Sequence, residues 1–169
     1  GEKMKILVMG LPGAGKTWLS ERLQKALPEC AWYNADKVRG MANDWDFSPQ
    51  ARLRQAERMR NIADFEDGEE RTVICDFVCP LVETRNIFDA DVLIWVNTLD
   101  EGRYDDTNKM FEKPNGTEAG AYYEVTSYMS DKEIEEFAKN IEIPQYNDSG
   151  LAQVFGDSDF VPNFLKNKE

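Results

Sequence analysis

The most specific chemistry in the chain is carried by one unbroken stretch, Gly10-Leu11-Pro12-Gly13-Ala14-Gly15-Lys16-Thr17. It fits G-x-x-x-x-G-K-[ST] at every fixed position, the pattern of a loop that wraps phosphate. Glycines at 10, 13 and 15 let the backbone curl around an anion with no Cβ in the way. The N–H groups of that curl, and of the helix it opens, then point at phosphate oxygens. In such a loop the Lys16 ammonium reaches the β- and γ-phosphates, and the Thr17 hydroxyl ligates Mg²⁺. Trp18 follows directly and is taken with Gly10 to Thr17 as part of the nucleotide-holding stretch. The implied cofactors are ATP and Mg²⁺.

The remaining candidate chemistry lies with acids and arginines. The chain has no histidine, which excludes Ser-His-Asp and Cys-His machinery and any histidine metal site. Acid–base work therefore falls to carboxylates, lysine or tyrosine. Asp36 stands where an expected strand, Ala31 to Asn34, gives way to a helix. Two readings stay open there: a helix cap, or a carboxylate at the carboxyl edge of a parallel sheet, where ligands bind. Asp76 ends the apolar run Thr72-Val73-Ile74-Cys75, the shape of a Mg²⁺-holding acid. Arg52, Arg54, Arg58 and Arg60 form a basic cluster on one expected helix, either solvated or facing an anion.

The elements that must position these groups alternate along the chain. Lys5 to Met9 reads as a buried strand, and leucines at helical spacing follow the glycine-rich turn. Asn43 to Phe47 is a polar loop with two exposed-looking aromatics. Ser48 as N-cap and Pro49 at the first helical position open a helix expected to run to about Glu66, before a turn at Asp67 to Glu70. A short helix from Leu81 to Phe88 carries Arg85, and Asp91 to Val96 reads as the fourth strand. Residues 97–120 are polar and irregular, a lid or a disordered stretch, with Arg103 and Lys109 among its acids. A lid in a phosphate-transfer enzyme excludes water and brings positive charge to the transferring group. Tyr122 to Val125 is a candidate last strand, and Asp131 to Ile141 an amphipathic helix capped by Ser130 or Asp131. Strand–helix alternation of this kind predicts an α/β fold: a mostly parallel five-stranded sheet, helices on both faces, one domain over 1–169 and a lid at about 99–120.

Composition narrows the partners. The net charge is −12 over 169 residues, so most of the surface repels nucleic-acid phosphates. No apolar run is long enough to span a membrane. Cys30, Cys75 and Cys79 are an odd set without close pairs, which fits a reducing cytosol better than a disulfide framework. The expected partner is a small-molecule nucleotide, with no nucleic acid and no membrane; a homodimer is left open.

Laid out this way, the chain resembles the adenylylsulfate kinases, P-loop kinases that phosphorylate the 3′-hydroxyl of adenylyl sulfate in sulfate assimilation. The resemblance runs from about Ile6 to Val96. It rests on Gly10 to Thr17, on Asp36-Lys37-Val38-Arg39 as D-x-x-R, and on Phe47-Ser48 followed by Arg52, Gln55 and Arg58. Phe77-Val78-Cys79-Pro80 with Arg85 resembles its F-I-S-P…R segment. The resemblance implies that Asp36 lies near the accepting hydroxyl, and that Arg39 and Arg52 hold the acceptor's anionic group. It also implies that Phe47 and Phe77 stack on its adenine, with Gln55, Val78 and Arg85 in the same subsite. The chain departs from the family at Asn34-Ala35-Asp36, where D-G-D is usual, at Asp76, where a small residue is usual, and in the lid. Other readings are a kinase for another small hydroxylated metabolite or nucleoside, and a nucleotide-binding module without turnover.

Overall fold

In the computed structural model, which describes residues 3–102 and 104–141, five parallel strands run side by side through the centre. They are β1 (Lys5–Met9), β2 (Cys30–Asn34), β3 (Thr72–Asp76), β4 (Ala90–Val96) and β5 (Ala119–Val125), in the order β2-β3-β1-β4-β5. The helices are α1 (Lys16–Ala26), α2 (Ala35–Ala42), α3 (Pro49–Gly68), α4 (Val82–Phe88), α5 (Asp105–Met110) and α6 (Asp131–Asn140). The order is a doubly wound one, as expected of strands joined by crossover helices.

Side-chain alternation explains why helices cover both faces. β1 and β3 are buried at every position, and successive residues point to opposite sides. Ile6, Val8 and Ile74 join Leu19 and Leu23 of α1 and Ile134 and Phe137 of α6 in one apolar cluster. Leu7, Met9, Val73 and Cys75 join Val38 of α2, Ala56, Met59 and Ala63 of α3, and Phe88 of α4 in the other. Each fully buried leucine or isoleucine in these layers contributes about 1.5–3 kcal/mol.

Side-chain caps set the starts of α2, α3 and α6. Ser48 Oγ accepts from Ala51 N with Pro49 at the first turn, and Ser130 forms a capping box with Glu133. The structure differs from the sequence expectation in several places. α3 continues to Gly68, so the turn closes within Glu69 and Glu70. β5 begins at Ala119, three residues ahead of Tyr122, because Ala119 and Ala121 pair with Ala90 and Val92. The stretch expected to be irregular over 97–120 contains α5 and the first residues of β5. The tail after Pro144 lies outside the described residues.

Parallel strands end together, which assembles the site. Asn34 closes β2 and Asp76 closes β3 as register partners, and Asp76 also faces Val8 just before the glycine-rich loop. β2 lies one strand away from β1, across β3.

Candidate active site

The glycine-rich loop leaves β1 at a position only glycine tolerates. Gly10 has φ 155°, and a Cβ there would sit 2.5 Å from Val96 O. Gly15, at φ 106°, is the N-cap of α1 and offers no side-chain cap. No acidic residue lies in the first turn of α1, so the positive end of the helix dipole faces the loop unopposed. Leu11 O accepts from Ala14 N at 3.1 Å and from Lys16 Nζ at 3.0 Å, which keeps the ammonium inside the curl.

Beside the loop, Asp76 is almost fully buried and its oxygens are taken by named donors. Trp32 Nε1 donates to Oδ2 at 2.5 Å, and Asn34 Nδ2 donates to Oδ1 at 2.9 Å. Burial pushes the Asp76 carboxyl above the usual carboxylate range, against the Trp32 bond, the Lys16 charge and the Asn34 bond; the nearby Asp36 charge adds to the rise. Asn34 Nδ2 also donates to Thr17 Oγ1 at 3.3 Å. A hydroxyl and a carboxylate are thus tied together next to the loop. Mg²⁺ takes one or two protein oxygens and completes its shell with phosphate and water, and these two groups fit that demand. Among the described residues no cluster of three or more His, Cys, Asp or Glu forms a fuller cage.

A cavity of about 820 Å³ opens at this edge of the sheet. Gly13, Gly15, Lys16 and Thr17 of the phosphate loop line it, with Pro12 and Trp18. Asp36, Arg39, Phe47, Arg52, Gln55, Phe77 and Val78 line it as well. Asp36 sits in the first turn of α2, and the cap of that helix is Asn34, whose Oδ1 accepts from Lys37 N at 3.1 Å. The cap reading of Asp36 is therefore corrected: the role belongs to the residue two positions earlier, which ends the strand.

The arginines divide into several groups. Arg39 is buried and donates to Asp44 O and Asp46 O, and its guanidinium lies 4.4 Å from the Phe47 ring centre. Burial lowers its pKa from the ordinary value, the Asp44 charge opposes this, and the Arg52 and Arg58 charges deepen it. Arg52 Nε donates to Phe47 O, and its guanidinium lies 5.4 Å from the same ring. Arg54 and Arg58 both hold the Asp44 carboxylate, and Arg58 also bonds Gln55 Oε1. Gln55 Nε2 in turn donates to Ala35 O, at the start of α2. Arg60 pairs with Asp64. Arg39 and Arg52 reach the cavity, whereas Arg54, Arg58 and Arg60 fasten α3 to its surroundings.

Arg85 lies elsewhere than the resemblance implies. It is fully buried, paired with equally buried Glu118 at 3.0 Å, and it donates to Cys79 O, Pro80 O and Glu112 O. It does not line the cavity; its neighbour Thr84 does. Lys109 is exposed on α5 and does not line the cavity either. Arg103 lies outside the described residues. Among the described residues of the lid stretch, Tyr104 and Thr107 reach the cavity.

Sequence reasoning passed over Asn34, Trp45, Tyr104, Thr107 and Tyr128, all of which line the cavity. Two of these had a usable signal, namely position at the carboxyl edge of the sheet: Asn34 ends β2, and Tyr128 follows β5. Tyr128 packs edge-on against Trp18 with ring centres 4.9 Å apart, and a Cβ on Gly15 would meet its hydroxyl at 2.9 Å. Cys79 also faces the cavity, but burial pushes its thiol up to about 12 and makes it a poor nucleophile.

The family model described as AAA domain matches residues 6–119. No curated protein matches the chain. The chain spans 61% of the length of the solved structure described as APE1195, at 28% identity over 57% of this chain and a TM-score of 0.52. It is similar to a sugar kinase from a Janibacter species, with a TM-score of 0.62 and 13% identity, covering 80% of this chain and 92% of that one. It is also similar to the APS kinase CysC of Mycobacterium tuberculosis in complex with AMPPNP and APS. That TM-score is 0.61 at 16% identity, with 82% of this chain and 94% of that one covered. The two kinases share the fold of the P-loop kinases with this chain; at such identities the likeness speaks to fold alone. No described helix is long and apolar enough to cross a membrane.

Proposed function

The chain belongs to the AAA domain family, and from that premise we propose that it is a MgATP-dependent phosphotransferase whose acceptor is adenylyl sulfate or a closely related nucleotide. The observation that carries the proposal is one cavity lined both by the phosphate loop and by Asp36, Arg52 and Phe47. Donor and acceptor can therefore share one cavity, and phosphoryl transfer is mainly positioning and charge neutralisation.

Loop amides and Lys16 hold the β- and γ-phosphates. Thr17 and Asp76 would hold Mg²⁺, which would supply neutralising positive charge there. Asp36 orients the acceptor hydroxyl and takes its proton late in a loose transition state. Arg52, with the buried positive charge of Arg39 behind it, holds the acceptor's anion. Phe47, nearly half exposed, and Phe77, backed by Phe88 at 5.8 Å, offer apolar faces to a planar ring. The unit is read as one domain over 1–169 with a lid at about 99–120, working in the cytoplasm, in sulfate assimilation, without nucleic acid.

A second reading, a kinase for another small hydroxylated metabolite, is supported by the lid side of the cavity. There Tyr104 and Thr107 stand in a segment that departs from the adenylylsulfate kinase pattern. An ATP-consumption assay over a panel of adenylyl sulfate, nucleosides, gluconate and simple sugars separates the two. Stimulation by adenylyl sulfate above all others supports the first reading. Stimulation by a sugar or nucleoside alone replaces it with the second.

A further inference from the structure

Asn34 ends β2 with a side chain that meets three groups at once. Its oxygen accepts from Lys37 N and caps α2, the helix that carries Asp36. The two N–H bonds of its amide are divided between Asp76 Oδ1 at 2.9 Å and Thr17 Oγ1 at 3.3 Å. The other Asp76 oxygen is taken by Trp32 Nε1. This convergence follows from the fold: Asn34 and Asp76 are the last register partners of adjacent parallel strands, beside the loop that holds Thr17.

We propose that Asn34 is a positioning residue of the kinase reaction, the part that sets the spacing between the Thr17 hydroxyl, the Asp76 carboxylate and the first turn of α2. The inference rests on reading this cavity as a MgATP site. A hydroxyl has two acceptor lone pairs and one proton. When Thr17 Oγ1 accepts from Asn34, one lone pair remains for a metal ion and its proton remains to donate. An uncharged amide does this without adding a further negative charge beside Asp76. Serine caps a helix about as well as asparagine, yet it is too short to bridge Thr17 and Asp76. Asn34→Ser therefore separates the cap from the bridge.

The test uses the whole chain and three variants: Asn34→Ser, Asp76→Asn, and the exchange Asn34→Asp with Asp76→Asn. The exchange restores one acid and one amide in contact across the same register pair, with the cap retained. Titration calorimetry with ADP, with and without Mg²⁺, gives the gain in affinity due to the metal. In metal-free protein the Trp32 indole N–H resonance reports its bond to Asp76. Loss of the bridge in Asn34→Ser should reduce the metal-dependent gain by roughly tenfold, the scale of a hydrogen bond to a charged group. It should also move the Trp32 resonance while the melting temperature stays close to wild type. The exchange variant should return most of the gain lost in Asp76→Asn. If Asn34→Ser instead unfolds early, the exchange variant decides, since it keeps both cap and contact. A wild-type metal-dependent gain in Asn34→Ser, or an exchange variant no better than Asp76→Asn, overturns the proposal. If the wild-type protein itself gains nothing from Mg²⁺, the MgATP reading falls first and this inference falls with it.

Discussion

Replacing Arg85 with methionine tests whether that residue supports the fold or touches substrate. Its guanidinium is wholly buried, pairs with a wholly buried Glu118, and satisfies three backbone carbonyls of the segments 79–80 and 112. Methionine fills part of the volume but leaves the Glu118 carboxylate inside the protein, with hydrogen bonds from the Asn115 and Thr117 amides in place of its cation. Breaking a buried pair by removing one partner costs about 3–5 kcal/mol, chiefly because the other charge stays buried. For a chain of this length each kcal/mol lowers the melting temperature by about 2–4 °C, so a fall of roughly 6–20 °C is expected. Circular dichroism melts measure it directly. Adding Glu118→Gln removes the stranded charge and should recover more than half of the loss, which a simple cavity would not allow. The acceptor KM of the folded enzyme should be unchanged, since Arg85 does not line the cavity. An Arg85→Met protein that melts within about 2 °C of wild type while its acceptor KM rises tenfold would refute this reasoning and restore the role implied by the family resemblance.

Arg52→Ala should raise the acceptor KM far more than the ATP KM, because an ionic hydrogen bond to a ligand contributes about 1.5–3 kcal/mol; steady-state kinetics with each substrate varied would show equal effects if the assignment is wrong. Asp36→Asn should lower kcat by roughly 10²–10⁴ with little change in melting, since Asn34 supplies the cap of α2; a kcat within twofold of wild type would remove Asp36 from the chemistry. Asp44, gripped by Arg54 and Arg58, has its carboxyl held well below the usual range by those bonds. A depressed pKa contributes stability that is full above the unfolded value near 4 and is lost as pH falls toward the folded one. The melting gap between wild type and Asp44→Asn should therefore hold between about pH 5 and 8 and shrink below about pH 4; a gap that widens in acid would contradict the pairing.

What could be read from the residues alone follows from how local each signal is. The phosphate loop was legible because its reasons are contiguous: glycine torsions, the lysine and the hydroxyl all lie within Gly10 to Thr17. The strands were legible because buried parallel strands are apolar runs, and β1, β3 and β4 are such runs. Helix starts followed from Ser48 and Ser130, whose caps are made within three residues. Arg85 was misplaced because its partner lies 33 residues away, and nothing local distinguishes an arginine facing a cavity from one facing a buried glutamate. α5 was hidden for a similar reason. Its residues are mostly polar, and Thr107 is buried by long-range packing that no periodicity records. Asp36 and Asn34 both suit a helix start, and only the hydrogen bond from Lys37 N to Asn34 Oδ1 shows which of them is the cap.

The central claim is that this cavity transfers the γ-phosphoryl group of ATP to a small hydroxylated nucleotide. The most direct measurement is transfer of labelled γ-phosphate from ATP to adenylyl sulfate in the presence of Mg²⁺, with Lys16→Ala as the matched control. Labelled acceptor is expected from the wild-type protein, none without Mg²⁺, and none from a folded Lys16→Ala variant. Equal labelling by Lys16→Ala, or ATP hydrolysis by the wild type that no acceptor diverts, would contradict it.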